Sequence, residues 1–147
     1  MPTPLSSIIV PVYNHGPYIG DCLESALAQD HGDLEVVVVD NQSTDDTWRV
    51  VQEIAGRDRR VRAYQNPANL GPVRNWLRGV EKARGTYGKI LWSDDLIEPA
   101  YLSRTLPWLE RGAAFVWTGA HIFDETPDRV TSTQFNEEPG GMLPSAE

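Results

Sequence analysis

The stretch Lys89-Ile-Leu-Trp-Ser-Asp-Asp-Leu-Ile-Glu-Pro99 ends a short apolar run in two adjacent carboxylates, Asp94 and Asp95. Neighbouring carboxylates repel, so pairing them makes physical sense where a cation relieves the charge. Oxygen ligands on a loop suit a hard divalent ion, Mg2+ or Mn2+, which can also hold a diphosphate. Two more polar clusters close apolar runs: Tyr13-Asn14-His15 near the start of the chain and Asp40-Asn41-Gln42 after residues 34–39. Arg74 stands in the first turn of a helical pattern, with Arg78 one turn further on the same polar face. Either could meet phosphate oxygens, and a solvated basic face accounts for Arg78 equally well. Each cluster also has a plainer reading. Asn14 and Gly16 are ordinary turn formers, Asp40 and Asn41 ordinary loop residues before a helix, and Asp95 a turn residue leading to Pro99. Taken together, with carboxylates closing two of the runs, they favour a binding site.

The elements that must position these groups follow from periodicity. Residues 6–10 are a β-branched run closed by Pro11. Residues 34–39 are almost unbroken apolar sequence, as in a strand covered on both faces. Residues 61–64, 87–92 and 113–118 read as further strands. Between them lie helical stripes. Ile19, Cys22, Leu23, Ala26 and Leu27 form the first, with Pro17 in its opening turn. Trp48, Val51, Ile54 and Ala55 form the second, capped by Ser43 with Asp45 and Asp46 in the first turn. Val73, Trp76, Leu77 and Val80 form the third, opened by Gly71-Pro72 and stopped by Gly85. Leu102, Thr105, Leu106 and Leu109 form the fourth, over residues 99–109. Alternating strand and helix implies an α/β fold, a mostly parallel sheet with helices on both faces. Ligands of such a sheet bind beyond the carboxyl ends of its strands. The clusters around Asn14, Asp40 and Ser93 should therefore open on one edge. Cys22 sits on an apolar stripe and reads as core.

Composition narrows the classes. The chain has 147 residues, the size of one ordinary domain, and a net charge of -8. That balance argues against nucleic acid as a partner, which would call for a basic face. One cysteine excludes an internal disulfide and a cysteine-based zinc site. No apolar run reaches the roughly 20 residues of a membrane span, and no signal segment opens the chain. The expectation is a cytoplasmic protein, with peripheral association at the inner membrane face left open. Neither a Gly-x-Gly-x-x-Gly after the first strand nor a Gly-Lys-Ser/Thr loop is present, which weakens a nicotinamide dehydrogenase and an ATPase.

From about Ser6 to Phe123 the sequence resembles a family 2-type glycosyltransferase. The resemblance rests on motifs in order: Val10-Pro-Val-Tyr-Asn14, Glu35-Val-Val-Val-Val-Asp-Asn-Gln-Ser-Thr-Asp45, Asn69-Leu-Gly71 with Arg74-Asn75, and Trp92-Ser-Asp-Asp95 with Glu98-Pro99. It implies a GT-A, Rossmann-like three-layer αβα sandwich that binds a nucleotide-diphospho-sugar. It implies that Pro11, Tyr13 and Asn14 line the nucleotide pocket with Ser93, and that Asp40 and Asn41 hold the nucleoside. Arg74 approaches the diphosphate, Asp94 binds the metal, and Asp95 is its acidic neighbour. The implied reaction is metal-dependent, inverting transfer of a sugar from a UDP-, dTDP- or GDP-linked donor to a carbohydrate or lipid-linked acceptor.

Three departures qualify the resemblance. Asn41 stands where many members carry a base-binding aspartate. Its amide both donates and accepts, so pairing with uracil or thymine stays open. Trp92 replaces the first aspartate of the metal triplet; we expect its ring to be core, with packing beside the donor as the alternative. Residues 1–123 then correspond to the donor-binding domain, and 124–147 to an irregular tail where an acceptor region would begin. None of Asp124, Glu125, Glu137 or Glu138 matches the family's catalytic base, which stays unassigned. A nucleotide-sugar-binding module without catalysis is the alternative. A nucleotidyltransferase ranks last, because Tyr13-Asn-His-Gly-Pro17 has no basic residue.

Overall fold

Two β-branched runs form the centre of a sheet. β1 (Ser6–Val12) and β2 (Leu34–Asp40) are buried along their whole length, as strands are when both faces are covered. They pair in parallel, from Ser6 opposite Leu34 to Val12 opposite Asp40. β3 (Val61–Gln65) pairs with β2 and β4 (Tyr87–Ile90) with β1, again in parallel, so the order is β3-β2-β1-β4. The computed structural model describes residues 6–123 and 130–134. They divide into two compact units, Met1–Ser103 and Arg104–Glu147, with the boundary inside the fourth helix.

The first unit holds the sheet and three crossover helices, α1 (Gly16–Leu27), α2 (Thr47–Arg57) and α3 (Pro72–Lys82). Ile9, Val37 and Val39 form a buried cluster against Tyr64, Ala83 and Ile90. The alternate residues Ile8, Val10, Val36 and Val38, all fully buried, point to the opposite face, where α1 and α2 pack. The expected α/β class and parallel sheet are what the chain adopts.

α3 does not present the face that its apolar spacing suggested. Val73, Leu77 and Val80 are exposed, and the buried positions are Asn75 and Gly79. A Cβ at Gly79 would lie 2.5 Å from Ile9 Cγ2, so only glycine lets the helix approach β1 this closely. The periodicity located a helix correctly and its inner face wrongly. Close backbone packing outweighed the burial of three aliphatic side chains.

Smaller differences follow the same logic. α2 begins at Thr47 with Asp46 as its N-cap residue, not at Ser43, whose hydroxyl is engaged by Asp40. α3 ends at Lys82, and the Gly85 amide donates to Ser7 Oγ at 2.8 Å. β4 ends at Ile90, and Trp92 beyond it is 53% exposed rather than core. Cys22 is buried as expected.

α4 (Tyr101–Glu110) spans the boundary of the units and buries Leu102, Thr105 and Leu106, the stripe its sequence indicated. In the second unit, β5 (Ala120–Phe123) and β6 (Val130–Gln134) pair antiparallel with an irregularity between Ile122 and Phe123. Residues 113–118, expected as a strand, form none. Phe115 and Trp117 are exposed and stack on each other at 5.3 Å between centroids. Aromatic strand propensity without a pairing neighbour does not make a strand. The tail expected to be irregular contributes β6, while Asp124, Glu125, Glu137 and Glu138 lie outside the described residues.

Candidate functional site

Parallel strands deliver their carboxyl ends to one edge of the sheet, and the three polar clusters meet there. His15 joins the first cluster to the third and to the start of α2. Its amide donates to Thr47 Oγ1 at 2.9 Å, beyond β2, and its Nδ1 lies 2.7 Å from Ser93 Oγ, beyond β4. Asn14, held at a left-handed φ of 54°, donates its amide to Ser43 Oγ at 2.9 Å and accepts from the Thr44 amide at 2.8 Å. Asparagine tolerates this conformation better than most residues. Asp45 accepts from the Gly16 amide at 3.0 Å and from Thr47, tying the starts of α1 and α2 together. Burial would raise the Asp45 carboxyl; hydrogen bonds from Thr47 and Gly16 reverse this and hold it below its ordinary value.

Asp40 and Asn41 are placed at this edge, both buried. Asp40 Oδ2 accepts from the Ser43 amide at 3.0 Å and from Gln65 Nε2 at 2.9 Å, and Oδ1 accepts from Ser43 Oγ. Asn41 Oδ1 accepts from Asn66 Nδ2 at 3.0 Å and from the Leu70 amide at 2.9 Å. Pro11 and Ser93 are buried as well, whereas Tyr13, Asn14 and Arg74 are exposed. Asn66 escaped the reading of the sequence, and Asp45 was read only as an acidic residue of the first helical turn. Asn75 was visible only as part of Arg74-Asn75, and no periodicity marks a buried amide.

The loop bearing Asp94 and Asp95 hangs on Cys22 and Ser25 of α1 and on Gln29 just beyond its end. The Cys22 thiol donates to the Trp92 carbonyl at 3.4 Å, Ser25 Oγ accepts from the Ile97 amide at 3.2 Å, and Gln29 Nε2 donates to the Glu98 carbonyl at 2.8 Å. The Asp95 amide closes a turn onto the Trp92 carbonyl at 3.0 Å. Burial, together with the Asp95 and Asp94 charges, pushes the Cys22 thiol up to about 12, so it serves as core and as a donor, not as a nucleophile.

Both carboxylates are exposed, and among the described residues neither is in a salt bridge. Partial burial and the neighbouring Asp94 charge raise the Asp95 carboxyl above its ordinary value, against a lowering by Lys89. Lys89 is itself pulled down by burial, and its Nζ sits 5.1 Å from the centroid of the Tyr101 ring. No group of three metal-ligating side chains occurs among the described residues. The chain therefore offers one or two carboxylates on a single loop. That set fits Mg2+ or Mn2+, which complete their shells with water and substrate phosphates.

The sequence of residues 7–144 matches the family model described as glycosyl transferase family 2. A teichuronic acid biosynthesis glycosyltransferase of Bacillus subtilis, TuaG, is 35% identical over 127 residues, 84% of this chain and 50% of its own length. The mannosyltransferase PcManGT of Pyrobaculum calidifontis, solved with GDP-Man and Mn2+, superposes with a TM-score of 0.69 at 29% identity, over 75% of this chain and 33% of that one. S. aureus TarS, solved with UDP-GlcNAc, gives 0.66 at 30% identity, over 74% and 32%. The chain spans about half or less of the length of the curated relatives it matches. With this sheet, these strand-end clusters and a family match over nearly its whole length, the chain belongs to glycosyl transferase family 2, on a GT-A-type α/β fold.

Proposed function

We propose that the chain forms the donor-binding part of a transferase. Such an enzyme moves a sugar from a nucleoside-diphospho-sugar to an acceptor hydroxyl with inversion at the anomeric carbon. The observation that carries this reading is the convergence of three strand-end clusters on one edge, with Asp94 and Asp95 of the third exposed and in no salt bridge among the described residues. PcManGT, solved with GDP-Man and Mn2+, and TarS, solved with UDP-GlcNAc, support the donor class. TuaG, named for teichuronic acid biosynthesis, supports a carbohydrate-polymer or lipid-linked acceptor, for which attachment at the inner membrane face is suited. Among the described residues no helix is long and apolar enough to cross a membrane.

In this reading Asp94 holds a Mn2+ or Mg2+ ion, with Asp95 beside it as a second carboxylate. Bound there, such an ion would supply Lewis-acid neutralisation of charge on the departing diphosphate. The chain's own residues bind and orient. Tyr13 and Asn14 border the nucleoside, Asp40 fixes the loop beneath it through Ser43, and Arg74 approaches the phosphates from α3. Ser93 positions His15 at the junction of the clusters. Residues 1–123 contribute donor binding, and 124–147 begin the acceptor region.

A thermal-shift screen of UDP-, dTDP-, GDP- and CDP-sugars with and without Mn2+ tests the reading. Stabilisation by at least one donor, requiring Mn2+ and lost in Asp94→Ala, is the expected result. Mn2+-dependent binding undiminished in Asp94→Ala would remove the metal role. Donor hydrolysis or transfer by the chain itself would separate an enzyme from a module that only binds.

A further inference from the structure

We propose that Asn41, Asn66 and Asn75 form a positioning device that fixes the start of α3 to the carboxyl edge of the sheet. In this device Asn41 uses its amide on the α3 entry loop instead of accepting a hydrogen bond from a nucleobase. The proposal rests on the donor-binding reading for its functional meaning, and its geometry stands independently.

The three side chains are 3%, 2% and 3% exposed. Asn75, in the first turn of α3, donates Nδ2 to the Val39 carbonyl at 3.0 Å and, at the longer 3.5 Å, to the Val12 carbonyl. It thereby ties the helix to the ends of β2 and β1. Its Oδ1 accepts from Asn66 Nδ2 at 2.8 Å, and the second hydrogen of that same amide goes to Asn41 Oδ1 at 3.0 Å. Asn66 is anchored by its own amide to the Asp40 carbonyl at 2.8 Å, and Asn41 by its amide to the Val12 carbonyl at 2.9 Å. Asn66 Oδ1 has no partner among the described residues.

The outer arm is the informative one. Asn41 Oδ1 takes its second hydrogen bond from the Leu70 amide at 2.9 Å. Asn41 Nδ2 donates at 2.8 Å to Asn69 Oδ1, which also accepts from the Gly71 amide at 2.9 Å. Gly71 is the N-cap residue of α3 and holds φ at 79°, a backbone state that glycine adopts without steric cost. A carbonyl oxygen has two acceptor positions, and both of those on Asn41 are occupied. What remains is a single N–H. A carboxylate at this position could still take the Asn66 and Leu70 donors, yet it would lose the bond to Asn69 and bury a charge. Three neutral amides connect strand ends, loop and helix without that cost. Arg74, next to Asn75, is carried by the same helical turn.

Two measurements on the 147-residue chain decide the proposal. The first is amide hydrogen exchange at Leu70 and Gly71, which needs no ligand. In Asn41→Leu the Leu70 amide should exchange faster by about tenfold or more, while Asn41→Asp keeps it protected, and Val37 in β2 is unchanged in both. Asn69 is exposed, so Asn69→Ala tests the arm without risk to the core and should accelerate exchange at Gly71. Leu70 and Gly71 exchanging at wild-type rates in all three variants would overturn the clamp. The second is calorimetric binding of UDP and GDP with Mn2+. Because Asn41 does not read the base, Asn41→Leu should leave the ratio of the two affinities within about threefold. A change in that ratio beyond about tenfold would overturn the assignment of Asn41 to the loop. If the wild-type chain binds neither nucleotide, the donor-binding reading fails while the exchange experiment still judges the clamp.

Discussion

The two ends of the sheet hold carboxylates in opposite circumstances. At the amino edge, Glu35 is buried and fully answered. Its Oε1 accepts from Ser7 Oγ at 2.8 Å and from the Arg84 amide at 2.6 Å, and Oε2 from Arg62 Nη1 at 2.7 Å. Arg62 also reaches the Lys82 carbonyl at 3.0 Å and the Tyr64 hydroxyl. Burial would raise the Glu35 carboxyl, and these hydrogen bonds with the Arg62 charge more than reverse it, holding it below its ordinary value. At the carboxyl edge, Asp94 and Asp95 stand exposed and adjacent, and Asp95 is pushed upward by burial and its neighbour. A closed network locks β1, β2, β3 and the α3–β4 connection. The open pair is in no salt bridge among the described residues. The contrast separates a carboxylate that serves the fold from carboxylates available to a ligand.

The largest effect should come from opening the closed end. Glu35→Ala strands the half-buried Arg62 and should cost about 3 kcal/mol in a urea-unfolding measurement. A loss no greater than that of an exposed substitution would dissolve the contrast between the edges. The same residue sets a pH dependence. Its folded value is lowered, so the stability contributed by its ionised form is complete above the ordinary 4.5 and is lost as pH falls through the lowered value. Unfolding midpoints followed across the acid range should therefore fall less steeply in Glu35→Gln than in wild type, and parallel curves would contradict this.

Between the two edges lies the α3 contact. Gly79→Ala places a methyl against Ile9 and should destabilise by about 1–3 kcal/mol in the same assay. Unchanged stability would mean that the helix seats less closely on β1 than the structure shows.

At the open end the effects move from stability to binding. Asp94→Asn should weaken Mn2+-dependent nucleoside-diphosphate binding by about tenfold or more. Because Asp94 is exposed, its effect on stability should stay within about 0.5 kcal/mol. The reverse pattern, stability lost and binding kept, would make this loop structural. Smallest is Trp92→Ala, which should leave stability within about 0.5 kcal/mol, because a ring 53% exposed contributes little to the core. A larger loss in thermal unfolding would return Trp92 to the core.

The particular residues show what a linear reading can reach. Val36 to Val39 announce a central strand because burial on both faces demands continuous apolar sequence. The strand-end positions of Asn14, Asp40 and Ser93 follow from alternation alone, since parallel strands end on the same side. The inner face of α3 was not legible in this way. Val73, Leu77 and Val80 have the spacing of a buried stripe, but Gly79 admits the helix so close to Ile9 that Asn75 and Gly79 face inward instead. The clamp residues Asn66 and Asn75 carry no periodic signal, because their value lies in carbonyls contributed by other strands. Residues 113–118 failed for the converse reason: strand propensity was present, and among the described residues a pairing partner was not.

The sequence by itself determined the class of this protein: a parallel α/β sheet, clusters at strand ends, adjacent carboxylates suited to a divalent ion, and a family resemblance carried by motifs in order. Only the tertiary structure decided which carboxylate is answered and which is left open, which face of α3 is inside, and that Asn41 hydrogen-bonds Asn66, Asn69 and the Leu70 amide. The reason is physical. Periodicity and propensity are properties of neighbouring residues along the chain, whereas hydrogen-bond satisfaction and close approach depend on atoms brought from distant segments.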